Sequence, residues 1–203
     1  EAARRLRQRG ELEADIEGFF DTMEHEWIRR FVSHRIKDKT IMRLIGKWLK
    51  AGVMEEGKVE HPEEGSPQGG VISPLISNIY LHYVLDMWVN HKIRAQMKGQ
   101  MEMIRYADDV IFCFQYLGDA NGFLNLLKER LAKFGLKLHP EKTRIVEFGR
   151  FATQWAQRRG EKPGTFDFLG FTHYCGKTRW GGFAVKRETS GKSERRFLKR
   201  VWQ

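Results

Sequence analysis

Along the stretch ELEADIEGFF, Leu12, Ala14 and Ile16 alternate with acids. A period of two predicts a half-buried strand ending near Asp15 to Glu17. From Glu24 to Ala51 the period changes: Trp27, Ile28, Phe31, Ile41, Leu44, Ile45, Trp48 and Leu49 recur at spacings of three and four. That spacing predicts two helices, broken near Lys37 to Lys39. EEGKVEHPEEGSPQGG reads as loop by its glycines, prolines and charges. Ser73 before Pro74 predicts a helix start, since serine caps free amides and proline fits the first helical position. The stripe Leu75, Ile76, Ile79, Tyr80, Tyr83, Val84 and Met87 carries that helix toward Trp88.

Further on, MEMIRY and VIFCFQY flank Ala107 to Asp109 as the strands of a hairpin. Asp119 to Phe134 is amphipathic, with Leu124, Leu127, Leu131 and Phe134 on one face. KTRIVEFG predicts another strand, and FDFLGFTHY with GGFAVKR a closing hairpin. Strands and helices mix without a regular βαβ period, so the predicted class is α+β, an antiparallel sheet backed by helices. Tyr106 and Trp48 are read as core.

The chain has 203 residues, 41% of them hydrophobic, enough for one substantial domain or two small ones. Its formal charge of +10 points to an anionic partner, most often nucleic acid. The charge is uneven. Residues 151 to 203 hold twelve lysines and arginines against four carboxylates, residues 1 to 10 hold four arginines against Glu1, and the middle is near neutral. Cys113 and Cys175 lack the spacing of a zinc site or a disulfide framework, which fits a reducing interior. The apolar runs are too short to span a bilayer, and the start lacks the apolar core of a signal peptide. A cytoplasmic protein with no membrane partner is expected, beginning with Glu1 inside a longer chain.

Asp108 and Asp109 are adjacent carboxylates between a tyrosine and an apolar run. Crowded like charges are relieved by neutralisation or by a cation. A simple acidic turn also accounts for them. Asp15, at the end of another predicted strand, adds an oxygen ligand suited to Mg²⁺. Two such ions about 3.5–4 Å apart serve in-line phosphoryl displacement. GSPQGG, Gly65 to Gly70, is no P-loop, because no GK[ST] follows. Its glycines permit close backbone approach to a ligand, and Gln68 offers donor and acceptor to a base or sugar edge. An ordinary loop before a helix is the alternative.

DIEGFFD, GSPQGGVISPLISNIYLH, RYADDVIF, LHPEKTRIVEFG and FDFLGF stand in the order and style of the palm of bacterial group II intron reverse transcriptases, which also act as maturases. The resemblance covers roughly residues 11 to 175. It implies the palm of a polymerase right hand over 11–175. Residues 1–10 would be the basic junction with fingers that precede it, and 176–203 a basic connection toward the thumb and maturase domain.

The resemblance also implies an RNA-directed DNA polymerase. Its cofactors would be two Mg²⁺ ions, with Mn²⁺ as a substitute, and its partners template RNA and intron RNA, a DNA or RNA primer, and deoxynucleotides. Asp15, the backbone of Ile16, Asp108 and Asp109 would hold the metals. Phe20 would be the gate against a ribonucleotide 2′-hydroxyl, with Phe19 facing the core because neighbouring extended residues face opposite sides. Pro67, Gln68 and Gly69 would line the incoming nucleotide and template base. Lys142 would give a proton to pyrophosphate, although a solvated strand-end lysine fits equally. Phe168, Leu169 and Gly170 resemble the primer grip, where packing and function overlap. Arg105 either touches nucleic acid or pairs with a nearby acid. The competing functions are an RNA-binding maturase without polymerase activity in this segment and, well behind, a nucleotide cyclase.

Overall fold

The computed structural model describes residues 10–50, 53–55, 58–60 and 72–201. Among these the strands are β1 (Gly10–Ala14), β2 (Val53–Glu55), β3 (Lys58–Glu60), β4 (Met101–Tyr106), β5 (Asp109–Phe114), β6 (Arg144–Val146), β7 (Thr165–Phe168), β8 (Phe171–Lys177) and β9 (Phe183–Thr189). The α-helices are α1 (Phe19–Thr22), α2 (His25–Ser33), α3 (Lys39–Lys50), α4 (Ser73–Leu81), α5 (Leu117–Ala132), α6 (Ala152–Arg159) and α7 (Gly191–Val201). The predicted α+β class is what the chain adopts. It divides into two compact units, one of Glu1–Ala14, Met97–Leu124 and Glu141–Gln203, the other of Asp15–Gln96 and Asn125–Pro140.

The first unit holds an antiparallel sheet in the order β4-β5-β1-β6 and a three-stranded sheet β7-β8-β9. β5 is paired on both sides, Phe112 to Leu12 of β1 and Phe112 to Met103 of β4. Its run Val110 to Phe114 is buried throughout because both faces are covered. On one face Phe112 and Phe114 pack on Phe123 of α5, with ring centroids 4.6 and 5.3 Å apart. On the other, Ile111 and Cys113 join Phe148 and Phe166, with Phe168, Cys175 and Val185 against them. The second sheet therefore covers the face that a half-buried β1 would have left to water.

Glu11 shows the consequence. The alternation of β1 assigns it to solvent, yet it is only 1% exposed. The Cys113 thiol donates to its Oε1 at 3.7 Å, and its Oε2 has no hydrogen-bond partner among the described residues. Burial pushes its pKa from 4.5 up to about 8, against a smaller lowering by the Cys113 bond and with Glu13 adding to the rise. Two residues on, Glu13 keeps a surface partner, the Arg144 Nε at 3.0 Å across the strand pair.

The second unit is built on aromatic rings. Phe31 stacks on Tyr83 at 4.9 Å and meets Tyr80 edge-on at 5.4 Å. The Tyr80 hydroxyl, wholly buried, donates to the Phe134 carbonyl at 3.0 Å. α4 does not run on as a plain α-helix but widens into π-helical turns at His82–Asp86 and Val89–Ile93. The Arg130 guanidinium donates to the carbonyls of Val84 and Tyr83 at 2.9 and 3.2 Å, satisfying backbone at the widened turn.

Several expectations need correction. Trp48 is 47% exposed and Tyr106 65%, so neither is core. In α3 only Ile45 and Leu49 of the apolar positions are buried, and Ile41, Leu44 and Trp48 lie on the outer face. Ser73 does not cap α4: the cap position is Ile72, without a side-chain bond, although Pro74 does sit in the first turn. The segment read as loop from Glu55 holds the last residue of β2 and all of β3, which pair antiparallel. Neither α6 nor α7 was predicted.

Two tests of this architecture follow. From pH 4.5 to about 8 the unfolded chain releases the Glu11 proton while the folded chain keeps it. Stability should therefore fall as pH rises through that window, by about 1.4 kcal/mol per pH unit, and level off above it. Glu11→Gln should remove this slope, so urea unfolding should show the variant gaining on the parent as pH rises. A Cβ at Gly164 would lie 2.9 Å from the Glu147 carbonyl oxygen and against Val146 Cγ1, whereas one at Gly122 in α5 meets nothing within 4 Å. Thermal unfolding should show Gly164→Ala destabilised by about 1–3 kcal/mol. Gly122→Ala should be stabilised by about 0.5–1 kcal/mol.

Candidate active site

The β4–β5 hairpin turns through only two residues. Tyr106 pairs with Asp109, leaving Ala107 and Asp108 as the loop. Such tight loops need a left-handed residue to match the strand twist. Here Ala107 takes it, at φ 54°, without glycine's freedom. Arg105 braces the turn by donating from Nη1 to the Ala107 carbonyl at 2.8 Å. This bond stands beside the two roles expected of it. Asp108 is half-buried in the turn, and Asp109, exposed, opens β5. The strand behind them is anchored in the core, so two carboxylates stand side by side on a rigid base and in contact with water.

Asp15 follows directly on Ala14, the end residue of β1, which pairs with Val110 of β5. It belongs to the second unit, where its carbonyl accepts from the His139 amide at 2.8 Å and the Glu17 amide donates to Lys137 at 2.9 Å. Between those bonds Ile16 faces Leu138 in an isolated bridge. Its own carbonyl takes no part in that bridge. Phe19 is buried, as expected, and Phe20 half-buried, but the reason for Phe19's burial differs. Both lie in the short helix α1, with ring centroids 5.4 Å apart, rather than in extended chain.

Lys142 is exposed in the turn before β6. Leu169 and Gly170 form the β7–β8 turn at φ 50° and 81°, with the Ser190 amide donating to the Gly170 carbonyl at 2.9 Å. The residues expected to form a primer grip differ in burial: Phe168 packs into the core between the sheets, and Leu169 is 44% exposed. Pro67, Gln68 and Gly69 lie outside the described residues, as do residues 1–9. The left-handed Ala107 and the Arg105 brace escaped sequence reasoning. The available signal was a two-residue gap between strands with no glycine to fill it.

Among the described residues no three His, Cys, Asp or Glu side chains form a group that would hold a metal ion by themselves. The donor chemistry nevertheless suits a hard divalent cation, which takes carboxylates together with water and substrate phosphates. A cavity of about 430 Å³ beside β6 is lined by Arg144, Glu147, Arg159, Glu161 and Lys162. Its guanidiniums already pair with carboxylates, Arg144 with Glu13 and Arg159 with Glu147 and Glu161. No helix of the described residues is long and apolar enough to cross a membrane.

Comparison with known proteins agrees with this arrangement. The profile of the family described as reverse transcriptase (RNA-dependent DNA polymerase) matches residues 2–173. Group II intron-encoded protein LtrA of Lactococcus lactis subsp. cremoris is 44% identical over 91 residues, 45% of this chain and 14% of LtrA. Protein YkfC of Escherichia coli is 34% identical over 130 residues, covering 52% of this chain and 34% of YkfC. The putative COX1/OXI3 intron 1 protein of Saccharomyces cerevisiae is 28% identical over 190 residues, 66% of this chain and 22% of that protein. The chain thus spans about a third or less of these relatives. Among solved structures, telomerase from Candida albicans, in complex with a TWJ fragment of telomeric RNA, superposes with a TM-score of 0.62 at 14% identity over 96% of this chain and 34% of that one. Apo telomerase from Candida tropicalis gives 0.60 at 14% identity, over 90% of this chain and 33% of that one. The shared fold is the antiparallel palm of a polymerase right hand. With the family profile matching most of its length, the chain belongs to the reverse transcriptase (RNA-dependent DNA polymerase) family.

Proposed function

We propose that this chain is the palm of a group II intron reverse transcriptase, spanning 11–175, with 176–203 leading toward a thumb. It would extend a DNA or RNA primer with deoxynucleotides on template RNA, and engage intron RNA. The observation that carries the reading is the aspartate pair on a braced two-residue turn, at the tip of a strand buried on both faces. The likeness to LtrA supports the intron assignment.

In this reading Asp15, Asp108 and Asp109, with the Ile16 carbonyl, hold two divalent ions, Mg²⁺ or in its place Mn²⁺. When bound, these ions supply activation of the primer hydroxyl and neutralisation of the leaving charge. The primer 3′-oxygen forms a new bond to the α-phosphorus, the bond to the bridging oxygen breaks, and pyrophosphate leaves. Lys142, exposed before β6, delivers a proton to it. Phe20 stands where a 2′-hydroxyl would clash, and Pro67, Gln68 and Gly69 line the nucleotide and template base. The β7–β8 turn at Phe168, Leu169 and Gly170 holds the primer end. Arg105 acts at one remove, by fixing the Ala107 backbone on which both aspartates depend.

Primer extension on an RNA template tests this directly, using the chain and a form extended at both ends. Asp108→Asn should abolish extension in whichever form is active and leave RNA affinity close to that of the parent. Extension that survives the change removes the aspartates from catalysis. RNA binding by both forms with no extension by either would favour an RNA-binding splicing cofactor instead. Phe20→Ala should raise incorporation of ribonucleotides relative to deoxynucleotides, read from the ratio of the two kcat/KM values. An unchanged ratio would place Phe20 in packing alone.

A further inference from the structure

The β8–β9 hairpin ends in a tip that neither the fold nor the proposed chemistry uses. Between Lys177 and Phe183, the last cross-strand pair, run Thr178, Arg179, Trp180, Gly181 and Gly182. The tip is tied down. The Thr178 amide donates to the Gly182 carbonyl at 2.7 Å, the Gly181 amide to the Thr178 carbonyl at 3.1 Å, and the Gly182 amide to Thr178 Oγ1 at 3.0 Å. Gly181 takes the left-handed conformation, φ 79°, that closes the loop. On this ordered tip Trp180 is 89% exposed. A large aromatic held in water on a fixed loop contributes nothing to the core, and a partner that covers it meets little further ordering cost.

The charges around it indicate the partner. At the tip itself Lys177 and Arg179 are exposed, and no Asp or Glu occurs from Leu169 through Arg187. The Arg179 guanidinium lies 5.8 Å from the Trp180 ring. Cations beside an accessible aromatic match a strand that offers phosphates and unpaired bases together. An apolar peptide would use the indole and leave two positive charges unanswered.

We propose that the tip of the β8–β9 hairpin is a further nucleic-acid contact, in which Trp180 stacks on an unpaired base while Lys177 and Arg179 hold the flanking phosphates. It rests on the reading that the chain handles RNA, and not on the chemistry assigned to the aspartates.

The test is fluorescence anisotropy with a labelled single-stranded RNA of about 12 nucleotides, within the range of known single-strand sites, and with a blunt RNA duplex, over a salt series. Trp180→Ala should weaken single-strand binding about tenfold at every salt concentration, the size of one lost stacking contact, and duplex binding far less. Trp180→Phe should restore most of the loss. Arg179→Gln should instead flatten the salt dependence, by about 0.7 in log–log slope. Circular dichroism and thermal unfolding should match the parent in each variant, since these side chains are exposed. Asp108→Asn should bind as the parent does, so a failure of the polymerase reading would show in primer extension and not here. Single-strand affinity unchanged by Trp180→Ala, an equal loss for single strand and duplex, or a parent chain that binds no RNA would each overturn the proposal.

Discussion

The register of β5 is the constraint on which the first unit depends. Held between β4 and β1, it sends Phe112 and Phe114 to the α5 side and Ile111 and Cys113 to the second sheet. A slip of one residue would exchange those faces, putting two phenylalanines where Glu11, Cys113 and Cys175 now fit. It would also carry Asp109 out of its pairing with Tyr106 and undo the turn. The position of the aspartate pair is thus set by aromatic packing several residues away. The two-residue loop adds to this, because Ala107 accepts a left-handed backbone only where both flanking strands are fixed.

What the sequence revealed and what it hid divide along physical lines. Local periodicity was enough for β1, α2, α3, α5 and the β4–β5 hairpin, since each is decided by which residues repeat along its own length. The residues of the site were legible for a different reason, as short motifs in a known order. Burial by distant chain was not legible. Glu11 looks solvent-facing because its neighbours alternate, and only the arrival of β7 to β9, some 150 residues later, covers it. Trp48 and Tyr106 err the opposite way: being aromatic implied a core that no described element provides. The widened turns after α4 were hidden too, because the Arg130 guanidinium that answers their carbonyls lies more than 40 residues away.

The same sheet therefore carries carboxyl groups in two environments, and the contrast bears on its chemistry. Glu11 sits mid-strand, cut off from water, and burial keeps its proton up to about pH 8. Asp108 and Asp109 stand at the strand's tip, where water and cations reach them. A fully buried pair would shed charge as Glu11 does and make poor ligands, while a pair on a loose loop would lose its geometry. The hairpin tip meets both demands: its base is rigid because β5 is buried, and its end is wet because the turn projects beyond the covering elements. The β8–β9 tip applies the same arrangement with opposite charge, a rigid ladder ending in exposed lysine, arginine and tryptophan. Carboxylates at one tip suit cations, and basic and aromatic groups at the other suit phosphates and bases, so each strand end presents the chemistry its partner lacks.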